Sequence, residues 1–166
     1  MTKATYLYLA VISGYYSEKD WQNWADKEIL NNDVVDDWIY NVSLICSKEE
    51  LCTILYEQSL EECYYDYNDD LKEDIIVGYY YMLFEEKKIS LYELISMLGD
   101  EDDISVASTV HDVQNFYLLF VKLNKNPELL DDSELKIKLK KLLEPYAELA
   151  KKQKNELEYH NRKKYS

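Results

Sequence analysis

The chain has 166 residues, 47% of them apolar and 14% aromatic, which is enough to bury one core and too apolar for a disordered segment. Its formal net charge of −14 argues against non-specific binding to nucleic acid or an anionic membrane, because both attract cations. With only three glycines and two prolines, it lacks the turn formers of an all-β sandwich or barrel, so the composition favours helices.

Thr5 to Ser13 is apolar all round. Periodicity there does not separate a buried helix from a strand, and a helix ending near Gly14 is the reading adopted. Ser17, with Asp20 three positions on, caps a helix over residues 18–30 whose apolar stripe is Trp21, Trp24, Ala25 and Ile29. A turn at Asn31 to Asp33 leads to a third helix, about 34–46, with Val35, Trp38, Ile39, Val42, Ile45 and Cys46 on one face. Ser47-Lys48-Glu49-Glu50 is a capping box that opens a helix carrying Leu51, Cys52, Leu55, Ser59, Leu60 and Cys63 along one side.

A break near residues 66–68 precedes a helix over about 69–87, with Leu71, Ile75, Ile76, Tyr79 and Leu83 inward. Gly78 is an unfavourable residue inside it. Ser90-Leu91-Tyr92-Glu93 is a second capping box, for a short helix that stops at Gly99. Asp102 or Asp103 then opens a helix over about 104–124 with Val106, Val110, Val113, Tyr117 and Phe120 inward, ended by Asn124, Asn126 and Pro127. From Ser133 a last stripe of Leu135, Leu139, Leu142, Tyr146, Leu149 and Leu157 crosses Pro145, which implies a kinked or restarted helix, frayed past about Lys154. The expected fold is all-α: seven to eight short helices packed as antiparallel hairpins. Residues 1–132 form its acidic helical domain, and 133–166 form a basic C-terminal helix packed on it. Residues 135–166 hold ten of the 19 Lys and Arg and four acids, a net of +6.

Motifs for chemistry are weak. The two histidines, His111 and His160, stand in no metal-ligand spacing. Asp66 to Asp70 resembles the start of a calcium loop, but Leu71 and Val77 replace the glycine and glutamate such a loop requires. Ser133-Glu134-Leu135-Lys136 has the Ser-x-x-Lys spacing without its companion motifs, and helix capping explains Ser133 better. Cys46, Cys52 and Cys63 form no paired framework. No secretory leader is read at Met1, and no apolar run reaches 18 residues. The expectation is a cytoplasmic protein with reduced, core-packed thiols, no cofactor, no metal, no catalytic residue and no membrane contact.

The outstanding feature is residues 57–74, where Glu57, Glu61, Glu62, Asp66, Asp69, Asp70, Glu73 and Asp74 stand against Lys72 alone, a net of −7. Asp69, Asp70, Glu73 and Asp74 open a helix, where its dipole favours acids. Glu61 and Glu62 end one, where cations are preferred. A local rule broken without compensation points to function. Tyr64, Tyr65 and Tyr67 lie within the run, and tyrosine supplies contact area at low entropy cost. These eleven residues are the candidate partner-binding set. The competing reading makes the acids a solvated face and the tyrosines core or generic surface.

Together with Trp21-Gln22-Asn23-Trp24-Ala25 and the short capped helices, this acid–tyrosine pattern resembles the small acidic immunity proteins of bacterial polymorphic or contact-dependent toxin systems. The resemblance covers the character of the whole chain and contains no diagnostic motif. It implies a non-catalytic module that covers the basic active-site surface of a toxin domain, with no direct contact to nucleic acid. The alternatives are an acidic nucleic-acid mimic that inhibits a DNA- or RNA-binding protein, or a structural adaptor.

Overall fold

A computed structural model of the chain describes residues 1–62 and 69–159, with the side chains of Asp69 and Asp70 outside the description. Among the described residues the fold is all-α, nine helices and one 3-10 turn without a strand, as composition and periodicity predict. Contacts divide the chain into two compact units, residues 1–67 with 152–166, and residues 68–151.

The first unit contains α1 (Lys3–Ile12), α2 (Glu18–Asn31), α3 (Asp37–Leu44) and α4 (Lys48–Glu62), with α1 against α4, α2 against α3, and α3 against α4. The N-terminal segment is therefore a helix, and Gly14 ends its turn at φ +74°, a conformation that favours glycine. The Ser17–Asp20 capping box is formed. At α4, Ser47 Oγ accepts from Glu50 N at 3.3 Å, while its hydroxyl donates to Glu49 in place of the expected return contact from Glu50. Glu49's own backbone amide, and after it the Ser47 hydroxyl, hold the Glu49 carboxyl below its ordinary pKa.

Trp21, Trp24, Ala25, Trp38, Ile39, Val42, Leu51 and Leu55 form the buried layer of this unit. Three expectations are corrected here. Glu28 is buried in place of Ile29. Val34 precedes α3 and is exposed. Cys46 is exposed while Cys52 is half-buried, so the thiols are not uniformly core; Cys63 lies outside the described residues. The helix stops at Leu44 because Ile45 turns to an extended conformation, its carbonyl held by Trp21 Nε1 at 3.1 Å and Gln22 Nε2 at 3.3 Å.

The second unit contains α5 (Asp69–Glu85), α6 (Leu91–Leu98), α7 (Val110–Val113), α8 (Phe116–Lys125), the 3-10 turn Pro127–Asp131, and α9 (Ser133–Tyr159) up to Lys151. Every residue of α5 from Ile75 to Leu83 is buried, so this helix is enclosed on all sides. Gly78 is what allows it. A Cβ there would lie 2.1 Å from the Tyr146 carbonyl oxygen and 2.8 Å from Ala150 Cβ. The second capping box, Ser90–Glu93, is formed as expected.

The helix expected over 104–124 is broken. Residues 101–109 are turns, because Asp103 Oδ1 accepts from Ser105 N and Oγ at 2.8 and 2.6 Å, and Asp100 accepts from Asp102 N. Such short polar side chains offer the backbone an alternative to helical bonding. Asn115 then caps α8, and Phe116, Leu119 and Leu123 are buried while Val106, Val113 and Tyr117 are exposed.

α9 is continuous through Pro145, not restarted there, and stays helical past Lys154 as far as Tyr159. Pro145 is exposed, so water can satisfy the carbonyl its ring leaves unpaired. The buried stripe is Leu139, Leu143, Ala147, Ala150, Gln153 and Leu157, one position off the expected Leu142, Tyr146 and Leu149, because the small Ala150 meets the close approach at Gly78. Asp132 rather than Ser133 bonds the first turn, accepting from Glu134 N. The last turns belong to the first unit. Trp24 Nε1 donates to the Leu157 carbonyl, Gln153 to that of Tyr6, Lys154 to the Tyr15 hydroxyl, and the Tyr16 hydroxyl to Glu158. Helix therefore runs to Tyr159, and residues 160–166, with His160, lie outside the described residues.

Candidate functional site

Within the first unit, α4 buries Leu51 and Leu55 and turns Glu49, Glu50, Thr53, Tyr56, Glu57, Leu60 and Glu61 outward. These positions follow the three- and four-residue spacing of one helix face. Tyr56 is half-exposed and leans on Tyr8 at 6.1 Å between ring centroids, and Leu60 is 43% exposed. Glu57 and Glu61 are one turn apart with like charge, and they sit with Glu62 at the negative end of the helix dipole. Both arrangements are locally unfavourable by a few tenths of a kcal/mol. Among the described residues no lysine or arginine pairs with Glu57, Glu61 or Glu62; Glu62 accepts from Gln58 at 2.9 Å.

The remaining candidates divide. Tyr64, Tyr65, Asp66 and Tyr67 lie outside the described residues, and Asp69 and Asp70 open α5. Glu73 and Asp74 are partly buried in the second unit. The Asp74 carboxylate accepts from Ser108 Oγ at 2.7 Å, Thr109 N at 2.9 Å and Thr109 Oγ1 at 3.1 Å, and so fastens α5 to the turn before α7. Tyr79, Tyr80 and Tyr81, which follow the run in sequence, are core residues at 0%, 2% and 3% exposure. Tyr80 donates to Asp103, and burial together with that carboxylate pushes its phenol well above the ordinary tyrosine range.

Two features escape a sequence reading. Glu28, 1% exposed, pairs through Oε2 with Lys3, while its Oε1 finds no hydrogen-bond partner among the described residues. His111 stands edge-on to Phe116 at 5.8 Å, with Nε2 buried and without a hydrogen-bond partner among the described residues, beside a small hollow of about 160 Å³. Among the described residues no group of three or more His, Cys, Asp or Glu side chains could hold a metal. None of their helices is long and apolar enough to cross a membrane. No family model, curated protein or solved structure matches the chain. What the outward face of α4 offers chemically is charge and apolar contact.

Proposed function

We propose that the chain is a non-catalytic protein-binding module, an immunity protein that neutralises a cognate bacterial toxin in the cytoplasm by covering its basic active-site surface. The observation that carries this reading is the outward face of α4. Tyr56 and Leu60 alternate there with Glu57 and Glu61, and no cation among the described residues compensates the charge. A basic surface would relieve the repulsion, and the acids would steer it at long range while the apolar side chains hold it at contact. A nucleic-acid mimic, which also binds a protein, would space its acids like phosphates over a long face, so Tyr56 and Leu60 among the acids favour the toxin-covering reading over mimicry.

The test is a triple variant, Glu57→Lys, Glu61→Lys and Glu62→Lys, expressed beside the cognate toxin that this reading requires. Association should slow by about tenfold or more and lose its salt dependence, and protection of the host cell should fail. Undiminished protection by a folded triple variant would refute the reading.

A further inference from the structure

Next to the α4 face, within the same unit, a hollow of about 500 Å³ opens between α3 and α4, with Asn41, Leu44, Cys46, Glu50 and Ile54 in its lining. Its wall is held in place by Trp21 and Gln22, which both donate to the Ile45 carbonyl of the connector. Leu44 is 78% exposed, and Tyr40, one turn before it, is 46% exposed. Leu44, which lines the hollow, and Tyr40 are thus adjacent exposed apolar side chains, a patch rather than a single scattered residue. The hollow is acidic: Glu50 is in its lining and Glu18 accepts from the Cys46 thiol there, while Lys48 turns its ammonium away to the Ile12 carbonyl at 3.0 Å. A second copy would bring its basic helix α9, but the apolar stripe of α9 is already buried within its own chain, so it has no free apolar face to offer here.

We propose that this hollow receives a positively charged amphipathic helix of the partner, with an apolar side chain seated between Leu44 and Ile54 and lysine or arginine side chains meeting Glu18 and Glu50. Apolar anchors three and four residues apart are how a helix fills such a groove, and these acids select a basic one. The proposal rests on the protein-binding reading above and locates its apolar anchor. Glu50 belongs both to the outward face of α4 and to the hollow, so one partner helix can engage the two together.

Cys46 provides a local reporter, since its thiol is exposed in the lining. The probe is a synthetic helical peptide of about 16 residues built from Leu, Lys and Ala, with leucines on one face. Its control is the isomer with the same composition and the leucines scattered. Alkylation of Cys46 by iodoacetamide at about pH 8.5 is followed by peptide mass mapping, which separates it from Cys52 and Cys63. The patterned peptide should bind at least tenfold more tightly than its isomer and slow Cys46 alkylation at least tenfold at saturation. Leu44→Ser should erase the difference between the peptides without changing the helical spectrum. Cys46 reacting at its free rate under saturating patterned peptide overturns the proposal. So does equal binding of the two isomers. If the isomers bind equally and Glu57→Lys, Glu61→Lys, Glu62→Lys abolishes both, the acidic-face reading survives and the hollow alone is wrong. Binding of neither peptide at low salt sinks both.

Discussion

Replacing Gly78 by alanine sets two effects of opposite sign against each other. In an isolated helix the change is favourable by about 1 kcal/mol, because alanine loses less backbone entropy. Here the added Cβ would meet the Tyr146 carbonyl oxygen at 2.1 Å, its carbon at 2.7 Å and Ala150 Cβ at 2.8 Å. Two of these are backbone atoms of α9 and cannot rotate aside, so α5 and α9 must separate by about 1 Å, loosening the contacts of Ala147 and Ala150. Overpacking of this kind costs about 3 kcal/mol or more. The net expectation is a loss of about 2 kcal/mol, a fall in Tm of roughly 4–8 °C for a chain of this size. Thermal and urea unfolding followed by far-UV circular dichroism reads it directly. Trp21, Trp24 and Trp38 all lie in the other compact unit, so tryptophan fluorescence gives a separate trace for that unit. A neutral or stabilising Gly78→Ala would refute the close approach of the two helices and the account of why α5 carries a glycine.

Asp74→Ala should cost about 2 kcal/mol in urea unfolding, because it strands Ser108 and the Thr109 amide; an unchanged midpoint would return Asp74 to the candidate binding set. Lys3→Ala leaves the buried Glu28 carboxylate unpaired and should cost about 1–3 kcal/mol, discounted because Lys3 is itself partly exposed. The double variant Lys3→Met with Glu28→Leu should recover most of that loss, and failure to recover would mean that the pair itself, rather than the orphaned charge, matters. Tyr16 and Tyr80 are pushed above the ordinary value of 10.0 by burial and by Glu158 and Asp103 respectively. The folded state therefore keeps protons that the unfolded chain releases, so this contribution to stability is fully present below pH 10 and is lost as pH rises beyond it. Absorbance titration should show these two phenols ionising only with unfolding, and a single transition of all 17 tyrosines near pH 10 in the folded protein would contradict it.

The parts of the architecture written in local chemistry were legible from residues alone. Ser17 with Asp20 and Ser90 with Glu93 open helices where the spacing places them, because a cap is a contact within four residues. The exposure of Glu57 follows equally from the stripe of Leu51 and Leu55 on the opposite side of α4, whereas Glu62 falls on the stripe's own side and is exposed beyond its buried part. Where the reading failed, a polar side chain or a small residue made the decision. Asp100, Asp103 and Ser105 redirect a stretch whose valines keep helical spacing, and the buried stripe of α9 runs through Ala147 and Ala150, which carry too little apolar signal to stand out.

By itself, then, the sequence determined the helical class, most helix starts and the surplus of acid on the outside, since each depends on residues close together in the chain or on composition. Only the tertiary structure decided which tyrosines are core, that Asp74 is a fastening and not a free charge, and that Leu44 and Cys46 are left open beside a hollow. Those outcomes depend on which distant residue arrives next to each side chain. Tyr80 is buried because Asp103 reaches its hydroxyl, and Gly78 is required because Tyr146 lies against it. Neither partner can be read from the spacing around the residue it meets.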